Sequence, residues 1–337
     1  MPFTLSHAAA VLPAIRRTGA ARGPLVASAL VAGSFAPDMT YYADTLVPGG
    51  MAFGEFTHSL PGVLTVDVLV TAALVGGWLL VREPLTALVP RAWRGTVHSF
   101  VRGRSWRPRG TGELAALVGW FAVSAVLGAA THVVWDAFTH PGRWGTRLVP
   151  GLDRVVGGLP VCTYVQYGTS ALALAAMAAF LWPVLRGGGT AASGLPAPAS
   201  VPELSVRLRL LLTVPLALCV AAGAVHRVLR ARAVYGPGAG ALDYLPSALF
   251  GAGAGLVLGL PLYAVAVRLL HHRGLRNRAA DATGLPPTPA ARTVPRAVAP
   301  SGAAAASRVA PSGSAPPSPV APSGAAATSP NSPSPTE

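Results

Sequence analysis

The stretch "LAALVGWFAVSAVLGAATHVVWDAFTHPG", residues 114–142, decides how the whole chain is read. From Leu114 to Asp136 it is almost wholly apolar, and about 20 such residues suffice to cross a bilayer. Near its end it carries His132, Asp136 and His140, each four positions from the last. Helical positions i, i+4 and i+8 share one face, so the spacing places these three side chains together. Pro141 then stops the helix. Ionisable groups at membrane depth are costly and mark a task. Imidazole nitrogen and carboxylate oxygen at this spacing are the ligand types of zinc or a similar divalent ion. A local pairing of His132 with Asp136 is the plainer alternative.

The rest of the chain fits a membrane protein. Of its 337 residues 52% are hydrophobic and only 11% charged, with a mean hydropathy of +0.50. Further apolar runs of spanning length lie at 59–81, 164–185 and 245–268, and a shorter one, containing Pro215, at 208–228. Two pieces too short to cross alone, 4–15 and 24–37, flank the polar turn "RRTGAARG" and predict a helical hairpin that enters the membrane part-way and returns. The expected fold is therefore an all-α polytopic membrane bundle, one domain over 1–278 with a linker at 187–203. From 279 onward the Pro/Ala/Ser-rich sequence, repeating "APSG", cannot bury a core and predicts a disordered tail.

All 26 basic residues are arginine, and the net charge is +14. Nucleic acid is not the expected partner, because the arginines fall between apolar runs as a topology signal. Loops 82–112, 186–209 and 268–278 carry fourteen arginines, against six in 143–154 and 227–232. The first set is placed in the cytoplasm. The Arg, Ala, Gly and Pro usage points to a GC-rich bacterial genome, and hence to a bacterial cell membrane crossed several times. No basic segment precedes the first apolar residues, so a cleaved signal peptide is not expected. Cys162 and Cys219 form no motif.

On this topology the outer ends of the apolar runs gather other ligand types. His58 precedes the 59–81 helix, Asp38 ends the second limb of the hairpin, and His7 opens the first. His7, Asp38, His58, His132, Asp136 and His140 thus converge as candidate metal ligands, with Asp38 or Asp136 the candidate general base. Asp67 lies deeper in its helix and predicts an ion pair with a turn arginine, Arg16, Arg17 or Arg22, the alternative being a helix-packing hydrogen bond.

The blocks "MPFTLSHAAAVLP", "AGSFAPDMTYY", "FTHSLPG" and "THVVWDAFTHPGRWG" resemble those of domain-of-unknown-function family 4184. They are similar in order and type to the YdjM-related membrane-bound metal-dependent hydrolases. That resemblance implies His7, Asp38, His58, His132 and Asp136 as ligands. It also implies a hydrolase whose substrate is a lipid or another ester at the outer face, with membrane lipids as partners. Where the hydrolase pattern has a second acid after "PD" and a basic "HRG", this chain reads "PDMT" and "GEF". The alternative is a protein without enzymatic activity, its cluster structural or serving transport.

Overall fold

The computed structural model describes residues 4–103, 106–186, 198, 200–236 and 240–283. All of them lie in one compact unit, Met1–Gly284. Most of the expected linker, and the tail beyond 283, fall outside the described residues.

The fold is an all-α bundle. Five helices are long and apolar enough to cross a membrane: α2 (Val66–Thr86), α4 (Thr111–Thr139), α5 (Val161–Leu185), α6 (Val206–Tyr235) and most of α7 (Ala241–Thr283). Four of them cover the runs expected at 114–136, 164–185, 208–228 and 245–268; the run expected at 59–81 is broken at Thr65, with a short helix, Leu60–Leu64, before α2 begins. The long helix α7 continues past the boundary expected at 279. Between α2 and α4 lies α3 (Arg91–Arg102), short and strongly amphipathic. The described strands, β1 (Val155–Val156) and β2 (Leu159–Pro160), form a small antiparallel ribbon that turns on Gly157 and Gly158.

The N-terminal hairpin is present. Its first limb is a chain of short turns, Thr4–His7, Ala8–Val11 and Leu12–Ala14. Its second is α1 (Ala27–Gly33) followed by the 3₁₀ turn Ala36–Asp38. Between the limbs the backbone closes on itself, Arg16 N donating to Ala20 O and Arg22 N to Ala14 O, both at 2.8 Å. Gly19 has φ +80, and a Cβ there would strike the backbone of Phe100 in α3. The turn therefore lies against α3, at the arginine-rich end of the bundle. The hairpin does not stop part-way: it runs from the His/Asp cluster to the opposite end.

What holds the hairpin is close approach to α4. A Cβ on Gly128 would meet backbone atoms of Leu30, Gly33 and Ser34, and one on Gly33 would meet the backbone of Ala125. Lipid offers no hydrophobic drive between helices, so contact of this kind, through small residues, supplies the packing. The otherwise unsatisfied N–H of Val26 donates to Ser124 Oγ at 2.9 Å, where water could not reach it.

The helices α6 and α7 form a second hairpin, pressed together at Gly223, Gly251 and Gly255. It docks on the segment after Asp38. Phe250 packs against Tyr41 and Tyr42, and Tyr263 donates to Pro84 O at 2.9 Å. Arg227 makes a buried ion pair with Asp44, whose backbone oxygen accepts from Arg230. Asp44 Oδ1 also accepts from Gly49 N. Burial works to raise the Asp44 pKa, but the hydrogen bond and charge of Arg227 bring it below the ordinary carboxylate value. A lowered folded pKa stabilises the protein above the unfolded value of about 4 and ceases to do so as pH falls through the folded one. Removing one partner of a buried pair leaves an uncompensated charge at a cost of about 3 kcal/mol. Arg227→Gln is therefore expected to lower thermal stability in detergent clearly more than Arg230→Gln, whose side chain is 40% exposed. Equal effects from the two would remove Asp44–Arg227 as the principal tie.

Candidate metal centre

The sequence folds locally to aim four side chains at one point. Ser59 caps the short helix Leu60–Leu64, accepting from Gly62 N, and Pro61 starts it. Gly62 packs directly on the backbone of Phe56 and Thr57, where a side chain would not fit. This folds His58 back under the bundle. Thr57 is tied by its hydroxyl to Pro37 O at 2.8 Å, which holds the His58 segment against the Asp38 turn. On α4, Ser124, Ala125, Gly128, Ala129, His132 and Asp136 make one buried stripe on an otherwise lipid-facing helix.

The four side chains are Asp38, His58, His132 and Asp136. One ligand atom from each lies within 4.8 Å of the others, and all four residues are buried. His132 Nε2 stands 3.4 Å from Asp38 Oδ1 and 3.5 Å from Asp136 Oδ2. His58 Nε2 stands 3.7 Å and 3.6 Å from the same two oxygens.

The tautomers follow from the backbone. His132 Nδ1 lies 2.7 Å from Ser34 O, and His58 Nδ1 lies 2.8 Å from Gly54 O. A carbonyl only accepts, so each Nδ1 carries a proton, and in the neutral form of each ring the lone pair of Nε2 turns inward. Metal-binding histidines are commonly oriented this way, by a hydrogen bond from the other nitrogen. Facing those lone pairs are carboxylate oxygens, which are also acceptors. Separations of 3.4–3.7 Å are too long for hydrogen bonds. Asp38 Oδ1, His58 Nε2 and His132 Nε2 have no hydrogen-bond partner among the described residues. Two lone pairs facing two carboxylates repel unless a metal ion lies between them or an imidazole takes up a second proton. Arms of about 2.0–2.2 Å at tetrahedral angles put neighbouring ligand atoms roughly 3.3–3.6 Å apart, close to the four nitrogen–oxygen separations found here. The donor set therefore fits a divalent ion.

The other two residues expected in the cluster lie beside it. His7 stacks on His132 with ring centroids 3.8 Å apart, and its Nε2 is 3.5 Å from Asp136 Oδ1. His140 is not on the helix: it is the extended residue that caps α4, just before Pro141. Its Nδ1 is 3.6 Å from Asp136 Oδ2 and its Nε2 is 2.9 Å from Gln166 Nε2. Asp38 Oδ2 accepts from Thr4 Oγ1 at 2.5 Å. Nothing in the sequence singles out Thr4, Gln166, or the carbonyls of Ser34 and Gly54, because hydroxyls, amides and carbonyls of this kind occur everywhere along a chain.

The expected Asp67–arginine pair is absent. Asp67 is fully buried and neither carboxylate oxygen has a hydrogen-bond partner among the described residues. Arg16, Arg17 and Arg22 are exposed at the far end of the hairpin, Arg22 donating to Pro13 O. The reason is the depth of the turn, which reaches past Asp67 to α3. An unpaired buried carboxylate weakens the fold by about 1–3 kcal/mol. Asp67→Asn, nearly isosteric and never charged, is expected to keep or raise the melting temperature in detergent. A drop of several degrees would reveal a partner for Asp67 that this geometry lacks.

Apolar spans with a buried His₂Asp₂ cluster define a multi-pass membrane protein with a possible metal-binding centre. Residues 1–265 match the family described as domain of unknown function (DUF4184), and the chain belongs to that family. No curated protein and no solved structure matches it.

Proposed function

We propose that this chain is a metal-dependent hydrolase of a bacterial membrane, acting near its outer face on a lipid or another ester. The observation that supports this reading is the convergence of Asp38, His58, His132 and Asp136, with both imidazoles locked so that Nε2 faces two carboxylates. Zinc suits two nitrogens and two oxygens in a small cage. The similarity of the sequence blocks to YdjM-type hydrolases, and the arginine bias that puts the cluster on the outer side, point the same way.

A divalent ion held here would supply Lewis acidity and lower the pKa of a water bound to it. The chain's own residues would then manage the proton. Asp136 Oδ1 lies outside the four-atom group, has no hydrogen-bond partner among the described residues, and faces His7 Nε2. Asp136 is therefore the better candidate for the general base, with His7 placed to share the proton. Asp38 is less suited, since Thr4 occupies its second oxygen.

The second reading is a structural centre that ties the hairpin to α4. The near-complete burial of all four ligands favours it, since structural sites are closed and catalytic ones keep an open position. Purified protein in lipid vesicles, loaded with Zn²⁺ or Mn²⁺ and given chromogenic ester and phosphoester substrates, separates the two. Hydrolysis that is lost on chelation and reduced at least about a hundredfold in His7→Ala with metal retained supports the hydrolase. A metal-loaded protein inert on all of them supports the closed centre.

A further inference from the structure

At the opposite end of the bundle lies a cavity of about 670 Å³, open on one side. It is formed where the hairpin turn, the end of α2, the segment after α3 and the first turns of α4 meet. Three arginines, Arg82, Arg102 and Arg107, and three tryptophans, Trp78, Trp106 and Trp120, line it. None of these arginines has a carboxylate within ion-pair distance among the described residues. Glu113 also lines the cavity, but its carboxylate already accepts from Arg109 N at 2.8 Å. The cavity is thus basic, and its arginine heads are available.

Its level in the membrane follows from the spans. Arg82 lies near the end of α2, and Trp120 lies near the start of α4. Tryptophans at span ends sit at headgroup depth, their rings partly in lipid. The amphipathic α3 is suited to lie in the interface plane beside them. Its end is fixed to the hairpin turn by the close approach of Gly19 and Phe100, so the wall of the cavity is built and not a chance gap. Trp106 is held edge-on by Phe121, at 6.2 Å between centroids. Apolar Leu79 and Leu117 also line it.

We propose that this cavity is a binding site for an anionic glycerophospholipid of the arginine-side leaflet. Arginine forks pair bidentately with phosphate oxygens, the tryptophans flank the glycerol region, and the leucines take the first acyl carbons. A soluble anion would use the arginines but would gain nothing from the aromatic and aliphatic lining. The site is independent of the metal centre.

Native mass spectrometry of the full-length protein in detergent tests this, with phosphatidylglycerol, phosphatidylcholine and free glycerol phosphate as probes. Wild type is expected to hold phosphatidylglycerol about a hundredfold more tightly than phosphatidylcholine, since each of the three arginines near an anionic headgroup contributes about a fivefold preference. Combining Arg82→Gln, Arg102→Gln and Arg107→Gln should bring the two lipids within about twofold. Glycerol phosphate should not displace the lipid. If the triple variant does not fold, Arg102→Gln alone, at an exposed position, should still cut the preference several-fold. Equal retention of both lipids by wild type, an unchanged preference in the folded variants, or displacement by glycerol phosphate at equal concentration would each overturn the proposal.

Discussion

Asp136→Ala is expected to lose more than about a hundredfold in affinity for divalent metal, the largest effect of any single change in the protein. Asp136 is the hub of the cluster. Its Oδ2 faces His58, His132 and His140, and its Oδ1 faces His7. Deleting it removes one ligand atom and leaves four imidazoles packed together without their shared counter-charge. Charge alone does not explain the expected loss, and Asp136→Asn separates the two contributions. The amide keeps the shape and one oxygen but cannot supply a negative ligand, so it should bind metal more weakly than wild type while keeping more of the fold than Asp136→Ala. Metal titration followed by thermal stability in detergent reads both effects. Wild type should be stabilised by added Zn²⁺ or Mn²⁺, because a ligand bound only by the folded state shifts unfolding by mass action. Neither variant should show that stabilisation at the same concentration.

Gly128→Ala should be a strongly damaging methyl-sized change outside the cluster. The added Cβ would be aimed at backbone atoms of Leu30, Gly33 and Ser34, which cannot rotate away as a side chain can. Overpacking of this kind costs about 1–3 kcal/mol. The consequence reaches the cluster, since Ser34 O orients His132 and Asp38 follows four residues later. Pushing α1 from α4 should therefore lower both thermal stability and metal affinity. Gly119→Ala is the control on the same helix: its Cβ would meet nothing within 4 Å, and it should be neutral or slightly stabilising. A Gly128→Ala protein with wild-type stability and metal affinity would mean that the close contact of the hairpin with α4 does not position the site.

What the sequence made legible was whatever repeats along one element. The five spans are visible as apolar runs, and the hairpin as two runs too short to cross. The four-residue step from His132 to Asp136 survives as a shared face, and His7, Asp38 and His58 do meet it. The Asp67 pairing failed because a hairpin's depth depends on where its turn packs. That is set by Gly19 against Phe100, some eighty positions away in sequence. The tie between Asp44 and Arg227 spans a separation of 183 positions and leaves no periodic trace. The same holds for Ser34 O and Gly54 O. A residue's identity does not record which histidine its carbonyl will orient.

The central claim is that the buried Asp38–His58–His132–Asp136 group holds a metal ion. Its most direct test is elemental analysis by mass spectrometry of the full-length protein, purified without chelators, beside His132→Ala and Asp136→Ala. About one divalent ion per chain in wild type, and little or none in either folded variant, is the predicted result. A wild type that carries no metal and takes up none from added Zn²⁺ or Mn²⁺ would contradict it.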